Sequence, residues 1–250
     1  MNALTDVWTM TWRDLIRTMR QPQYVTFSVV MGVFFLLLFK FVFGGVISAG
    51  AGVDYDQFLV PGVLVITALT GAQQTGNSLA VDMGHGVTDR FRSLPMSQFA
   101  VLAGRTVADT IRNAVALVLV AVVGFLVGFR FATIGGAVVA LLLTIGLGYA
   151  FSWVNAAIGA RLRSAELVGM LSMFWLFPLM FASNLFTPTE SMASWIRAFA
   201  DNQPISVVAS AVRSLAAGTE AAGAVIGSLV WIVALLAVFM PVAVAAYRKP

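Results

Sequence analysis

Seven consecutive residues, Asp89-Arg90-Phe91-Arg92-Ser93-Leu94-Pro95, hold much of the interaction chemistry in this 250-residue sequence. Three charges flank Phe91, Leu94 follows, and Pro95 stops any helix that begins nearby. An aromatic and a leucine ringed by charge have the make-up of a protein interface, with an apolar centre and a polar rim. Setting membrane topology needs the arginines but not Phe91 or Leu94. Gly84 and Gly86 permit a turn, and Val87–Leu94 has room for about two helical turns. A second set of residues is uncharged: Gln73, Gln74 and Asn77, Ser152 and Asn155, and Ser183 and Asn184, all inside apolar runs. Gln73 and Asn77, four apart, share a helix face. Such amides either bond across to a neighbouring helix or line a weakly polar path for an amphiphilic cargo. Both readings stand at this point, and Gln73, Gln74, Asn77, Asn155 and Asn184 are the candidate lining residues.

Covalent chemistry has little to work with. The sequence has no cysteine, one histidine (His85) and two lysines (Lys40 and Lys249). It contains no G-x-x-x-x-G-K-[ST], no G-x-S-x-G and no H-E-x-x-H. ATP binding through a P-loop, a histidine-based metal cluster and cysteine catalysis are therefore excluded. A membrane-embedded enzyme would lack a nucleophile–base set, and a proton relay would lack intramembrane carboxylates. Lys40 is expected to snorkel to an interface or to pair with Asp54 or Asp56. His85 has the side chain of a pH sensor but the setting of an incidental loop residue.

The elements that must position these residues are membrane helices. The chain is 60% hydrophobic and 10% charged, whereas a soluble domain carries about 25% charged residues. A bilayer core needs about 20 apolar residues per helix. Six runs qualify: 25–46, 58–81, 107–129, 133–157, 167–185 and 222–247. They lack the alternation of a β-barrel, so an all-α polytopic membrane protein is expected, as a single transmembrane domain over residues 1–250. Ala49-Gly50-Ala51 resembles a cleavage site, but the run before it is long enough to span and is read as a retained helix.

Residues 2–22 predict an interfacial amphipathic helix, with Leu4, Trp8, Trp12, Leu15, Ile16 and Met19 on one face and Arg13, Arg17 and Arg20 opposite. With the N-terminus in the cytoplasm, the inner side collects 11 of the 15 Lys and Arg residues. The outer side has Lys40, Arg130, Arg197 and Arg213. This bias places both termini in the cytoplasm. The high pI reflects orientation charge and implies no nucleic-acid partner. Residues 82–97 then form a cytoplasmic loop. Residues 186–220 form an extracellular segment holding two short helices, near 192–199 and 205–215, too short to span and read as re-entrant. Gly124-x-x-x-Gly128 and Gly223-x-x-x-Gly227 allow close helix approach.

The run Gly86-Val87-Thr88-Asp89-Arg90-Phe91-Arg92-Ser93-Leu94-Pro95-Met96-Ser97 resembles the cytoplasmic loop of ABC-2-type permeases, above all the daunorubicin/doxorubicin-resistance branch. The resemblance covers nearly the whole chain. It includes the Arg-rich N-terminal helix, the six spans, and Asn184-Leu185-Phe186-Thr187-Pro188 followed by Met192, Trp195, Asn202 and Pro204. It implies a type V ABC exporter-like fold that pairs with a second permease copy or a homologous permease. It further implies a separate ATP-binding subunit in two copies, with ATP and Mg on that partner and no cofactor in this chain. On this resemblance Asp89–Pro95 is the coupling helix, which ATP-driven closure of the partner pushes. The implied function is export of a hydrophobic or amphiphilic drug, lipid or glycolipid across a bacterial inner membrane, through a cavity between two protomers lined by spans one, two and five. The alternative from the residues alone is a stand-alone channel or secondary carrier.

Overall fold

The computed structural model describes residues 3–19, 23–43, 55–85 and 97–248. The segment Asp89–Pro95, together with Arg20 and Asp54, lies outside the described residues, as does the Arg17 side chain. All regular structure among the described residues is helical. The elements are α1 (Ala3–Met19), α2 (Gln23–Leu38) with a π-helical extension Phe39–Phe43, α3 (Tyr55–Gly84), α4 (Gln98–Val127), α5 (Ile134–Leu162), α6 (Ala165–Phe181), α7 (Ser194–Asn202), α8 (Pro204–Ala217) and α9 (Ala222–Arg248).

Four of these helices, α3, α4, α5 and α9, are long and apolar enough to cross a membrane. The runs at 28–42 and 165–181 are shorter apolar helices, as is α8. The protein is a multi-pass membrane protein. Several helices outrun the apolar stretches that predict them. Helix α4 starts at Gln98 and includes Arg105, Asp109 and Arg112. Ion pairing offsets the cost of placing these charges in a packed helix.

Helix α3 is the axis of the bundle. It is the least apolar of the four long helices, and 78% of its most apolar stretch is buried, against 17% for α9, the most apolar. Lipid demands apolar surface, whereas a helix surrounded by protein can carry glycine, threonine and amides. Glycine is what lets α3 and α5 touch. A Cβ on Gly159 would lie 2.4 Å from the carbonyl oxygen of Gly76. Elsewhere, a Cβ on Gly124 of α4 would meet Val60 at 2.7 Å. Its partner Gly128 serves a different purpose: at φ 123° it ends α4, a conformation that favours glycine. In the second small-residue motif nothing lies within 4 Å of a Cβ on Gly223, whereas one on Gly227 would meet Val207 at 3.2 Å.

Helix α1 has three faces, not two. Trp8 and Trp12 are 64% and 56% exposed and stack on each other. Arg13 lies at the solvent side with Asp14. A third flank, Asp6, Met10 and Thr11, is buried. It packs on α4 at Gly104, where a Cβ would stand 2.5 Å from that of Met10. Thr11 Oγ1 donates to the Gly104 carbonyl at 3.1 Å. The interfacial helix is thus fastened to the bundle beside the start of α4.

Helix ends follow local chemistry. Thr133 caps α5 by accepting from Gly136 N at 3.0 Å, and Ser164 caps α6 from Leu167 N. Pro204 opens α8, where its missing N–H costs nothing.

Candidate functional site

A cavity of about 330 Å³ lies between α2, α3 and α6, within the range of small-molecule sites. Gln73, Gln74 and Asn77 of α3 stand on its wall. Opposite them are Met31 and Phe35 of α2, and Met173, Phe177 and Met180 of α6. Thioethers and aromatic rings make an adaptable apolar surface. The amides gather toward the end of α3 that leads into residues 86–96, since Asn77 faces Gly169 near the start of α6. Phe35, Ile66 and Met180 lie toward the other end. The cavity is therefore amphipathic along its length.

The five amides singled out in the sequence separate into two kinds. Asn155 is buried behind the wall. Its Nδ2 donates to Phe151 O at 2.9 Å, and its Oδ1 accepts from Ser172 Oγ at 3.0 Å. Only Ser172 reaches the cavity. Asn184 lies away from it, donating from Nδ2 to Ser210 Oγ at 2.7 Å and fixing the chain after α6 to α8. The side chains of Gln73, Gln74 and Asn77 take part in no hydrogen bond among the described residues, and Asn77 Oδ1 is buried without a partner. Buried polar atoms are ordinarily satisfied. Asn184 also has an unpartnered Oδ1, but its Nδ2 is bonded, whereas all three side chains on the cavity wall are uncommitted.

Two further amides escaped the sequence reading. Asn113 of α4 donates to Ala68 O of α3 at 2.9 Å. It fits because Gly71 and Gly148 leave room for it. Gln203 Nε2 donates to Leu179 O and Ala182 O, at 2.9 and 2.6 Å, and closes the end of α6. Their partners lie more than 20 residues away in sequence, and no local signal announces them.

Charge is concentrated at the two ends of the bundle. Beside residues 86–96, Arg105 of α4 pairs with Asp82 of α3 at 2.7 Å, with side chains 13% and 10% exposed. Arg112 pairs with Asp109 one turn along. The Asp82–Arg105 pair staples together the two helices that lead into and out of the charged segment, while the Asp109–Arg112 pair lies within α4. His85, at the end of α3, bonds through Nδ1 to Val81 O and is exposed. At the opposite end Lys40 Nζ reaches Asp56 Oδ2 at 2.8 Å and Val127 O at 2.5 Å. One of the two pairings expected of it therefore forms, and it also caps α4.

A multi-pass helical bundle with an amphipathic internal cavity and a charged segment held between stapled helices defines a membrane permease. The chain belongs to the ABC-2 type transporter family, whose profile matches residues 5–216. It is similar to the daunorubicin resistance ABC transporter permease protein DrrB1 of Streptomyces coeruleorubidus, with 39% identity over 99% of this chain and 87% of the relative. It is also similar to the probable doxorubicin resistance ABC transporter permease protein DrrC of Mycobacterium tuberculosis, with 26% identity over 95% of this chain and 86% of the relative. A putative transport permease, ycf38, of Porphyra purpurea is 20% identical over 83% of this chain and 72% of the relative. Membership makes the chain a permease subunit of an ABC transporter and implies a partnering ATP-binding subunit.

Proposed function

We propose that this chain is the membrane half of an exporter that moves a hydrophobic or amphiphilic cargo out of the cell. The cargo is a drug of the kind named for its relatives, or a lipid or glycolipid. The work is done by ATP, with Mg, on two copies of a separate subunit. A second permease, identical or homologous, completes the membrane part. The six-span reading, with residues 186–220 re-entrant and outside, puts both termini in the cytoplasm and the protein in a bacterial cytoplasmic membrane. Asp89–Pro95 then docks on the ATPase. The Asp82–Arg105 pair ties the flanking helices together, so a push on the segment moves both α3 and α4.

The observation that carries the cargo role is the wall of uncommitted amides at Gln73, Gln74 and Asn77. Asn113, Asn155, Asn184 and Gln203 each donate to the protein, whereas these three side chains keep their hydrogen-bonding capacity for something that enters and leaves. Their position at the cytoplasmic end of the cavity, with rings and thioethers beyond, suits an amphiphile entering from the inner leaflet with its polar group toward the cytosol. The amides are neutral, so the cargo is held without the desolvation cost of a buried charge.

Two experiments test the reading. Tagged protein is taken from its native membrane in mild detergent, and stoichiometric companions are identified by mass spectrometry, with and without Arg90→Glu/Arg92→Glu. A P-loop ATPase should accompany the wild type and be lost from the variant while membrane insertion persists. Failure to find one in several detergents would favour a self-sufficient channel or carrier. Asn77→Leu should keep the ATPase bound but weaken apparent cargo affinity about tenfold, the worth of one buried hydrogen bond. Unchanged transport kinetics would remove the cavity from the pathway.

A further inference from the structure

A second cleft, of about 400 Å³, opens at the end of the bundle away from residues 86–96. It is bounded by Phe58 of α3, by Arg130, Phe131 and Ala132 between α4 and α5, and by Arg213 and Ala216 of α8. Its lining joins aromatic rings and methyl groups to two guanidinium groups. Arg213 donates from Nε to Phe58 O at 3.0 Å and from Nη2 to Asn184 O and Leu185 O, at 2.7 and 3.2 Å. Its guanidinium carbon lies 3.8 Å from the centre of the Phe58 ring. Arg130 donates from Nη1 to Phe129 O at 2.8 Å and to Phe125 O, and stacks over the Phe125 ring at 3.7 Å.

These partners are carbonyl dipoles and ring faces. Among the described residues neither guanidinium has a carboxylate within 4 Å, and the nearby Asp56 is taken by Lys40. Arg213 Nη1 and Arg130 Nε and Nη2 have no hydrogen-bond partner among the described residues. The other arginines that lie within the bundle, Arg105 and Arg112, are matched by acids. A charge held in apolar surroundings ordinarily has a counter-charge. Here a half-buried Arg213 and an exposed Arg130 share one cleft, and no described acid lies within 4 Å of either.

We infer that this cleft binds the headgroup phosphate of a net-anionic phospholipid. Arg130 and Arg213 hold the phosphate, and the acyl chain passes over Phe131 toward the exposed apolar face of α4 at Phe125 and Leu126. Guanidinium forks suit phosphate oxygens. An apolar floor beside them suits an amphiphile and gives a free ion nothing. The cleft is separate from the α2–α3–α6 cavity and shares no residue with it. The lipid would bridge α3, the α4–α5 turn and α8, tying the short α8 to the long helices.

The test uses the purified permease in delipidated detergent micelles, followed by thermal unfolding and native mass spectrometry. Phosphatidylglycerol, phosphatidylcholine and inorganic phosphate are titrated separately. Phosphatidylglycerol should bind and raise the unfolding temperature, with phosphatidylcholine and inorganic phosphate ineffective at the same concentration. Arg130→Gln should weaken phosphatidylglycerol binding at least about tenfold, the worth of a charge-assisted hydrogen bond. Arg213→Gln should do the same where it folds. Arg130 is exposed and bonds only to its own turn, so its variant keeps the test valid if Arg213→Gln fails to assemble. Equal binding of the two lipids, an unchanged affinity in Arg130→Gln, or an equal effect of inorganic phosphate would overturn the assignment.

Discussion

Removing Arg105 should destabilise the protein more than removing Asp82, although the two form one ion pair. The Asp82–Arg105 contact is 2.7 Å long, and both side chains are nearly buried. Removing one member of a buried pair costs about 3–5 kcal/mol, because the other is left uncompensated. The two sides are not equivalent. Arg105 also lies in the negative field of Asp109 and Asp14, so Asp82→Asn leaves the cation two other acids. Arg105→Gln removes the cation that Asp82, Asp109 and Asp14 share and leaves all three acids less well matched. The expected losses are about 3–5 kcal/mol for Arg105→Gln and about 1–2 kcal/mol for Asp82→Asn. Asp82→Asn/Arg105→Gln keeps a neutral contact and should fall well short of the sum, with a coupling energy of about 2 kcal/mol. Reversible unfolding of the purified chain in mixed micelles reads all four corners of the cycle. Single losses that add within about 0.5 kcal/mol, or a larger loss from Asp82→Asn, would refute the reasoning.

Other substitutions probe the packing. Gly159→Ala puts a methyl group 2.4 Å from the Gly76 carbonyl and should cost about 1–3 kcal/mol by overpacking α3 against α5. Gly135→Ala has nothing within 4 Å of the added methyl and should leave the unfolding midpoint unchanged or slightly raised, so equal effects would refute the contact. Asn113→Ala removes the bond to Ala68 O and should cost about 1–2 kcal/mol in the same assay. A neutral result would mean that this hydrogen bond adds nothing to the α3–α4 seam.

Much of the fold was legible because the bilayer imposes two demands that any sequence must display, span length and apolarity. The two short helices after α6 were legible from Pro188 and Pro204, which divide residues 186–220 into stretches each too short to span. Asp82 and Arg105 were harder to read. Taken singly, each of them looked like a residue at the edge of lipid, and their pairing across two helices is visible only in the fold. Helix α1 misled in a similar way. Its tryptophans and arginines announced two faces, while the flank that packs on Gly104 carries Asp6 and Thr11, which no hydropathy pattern assigns to an interior.

The amides mark the limit of a linear reading most clearly. In sequence, Asn77, Asn155 and Asn184 are equivalent, each a polar residue in an apolar run. What distinguishes them is whether a partner comes within reach, and that depends on Ser172, Ser206 and Ser210 on other helices. A hydrogen bond made to the protein fixes the bundle and is unavailable to a ligand. One left open inside a packed bundle is a cost that packing alone does not recover. Glycine follows the same logic: Gly76 and Gly159 are spent on helix contact, while Gly169 leaves the space that Asn77 faces. An orphaned acceptor alone does not mark the cargo wall, since Asn113, Asn184 and Gln203 each keep one while donating to the protein; the wall is marked by three neighbouring amide side chains with no bond among the described residues. That makes Asn77→Leu the informative change, because it removes an orphaned acceptor and should leave stability equal or improved while transport falls.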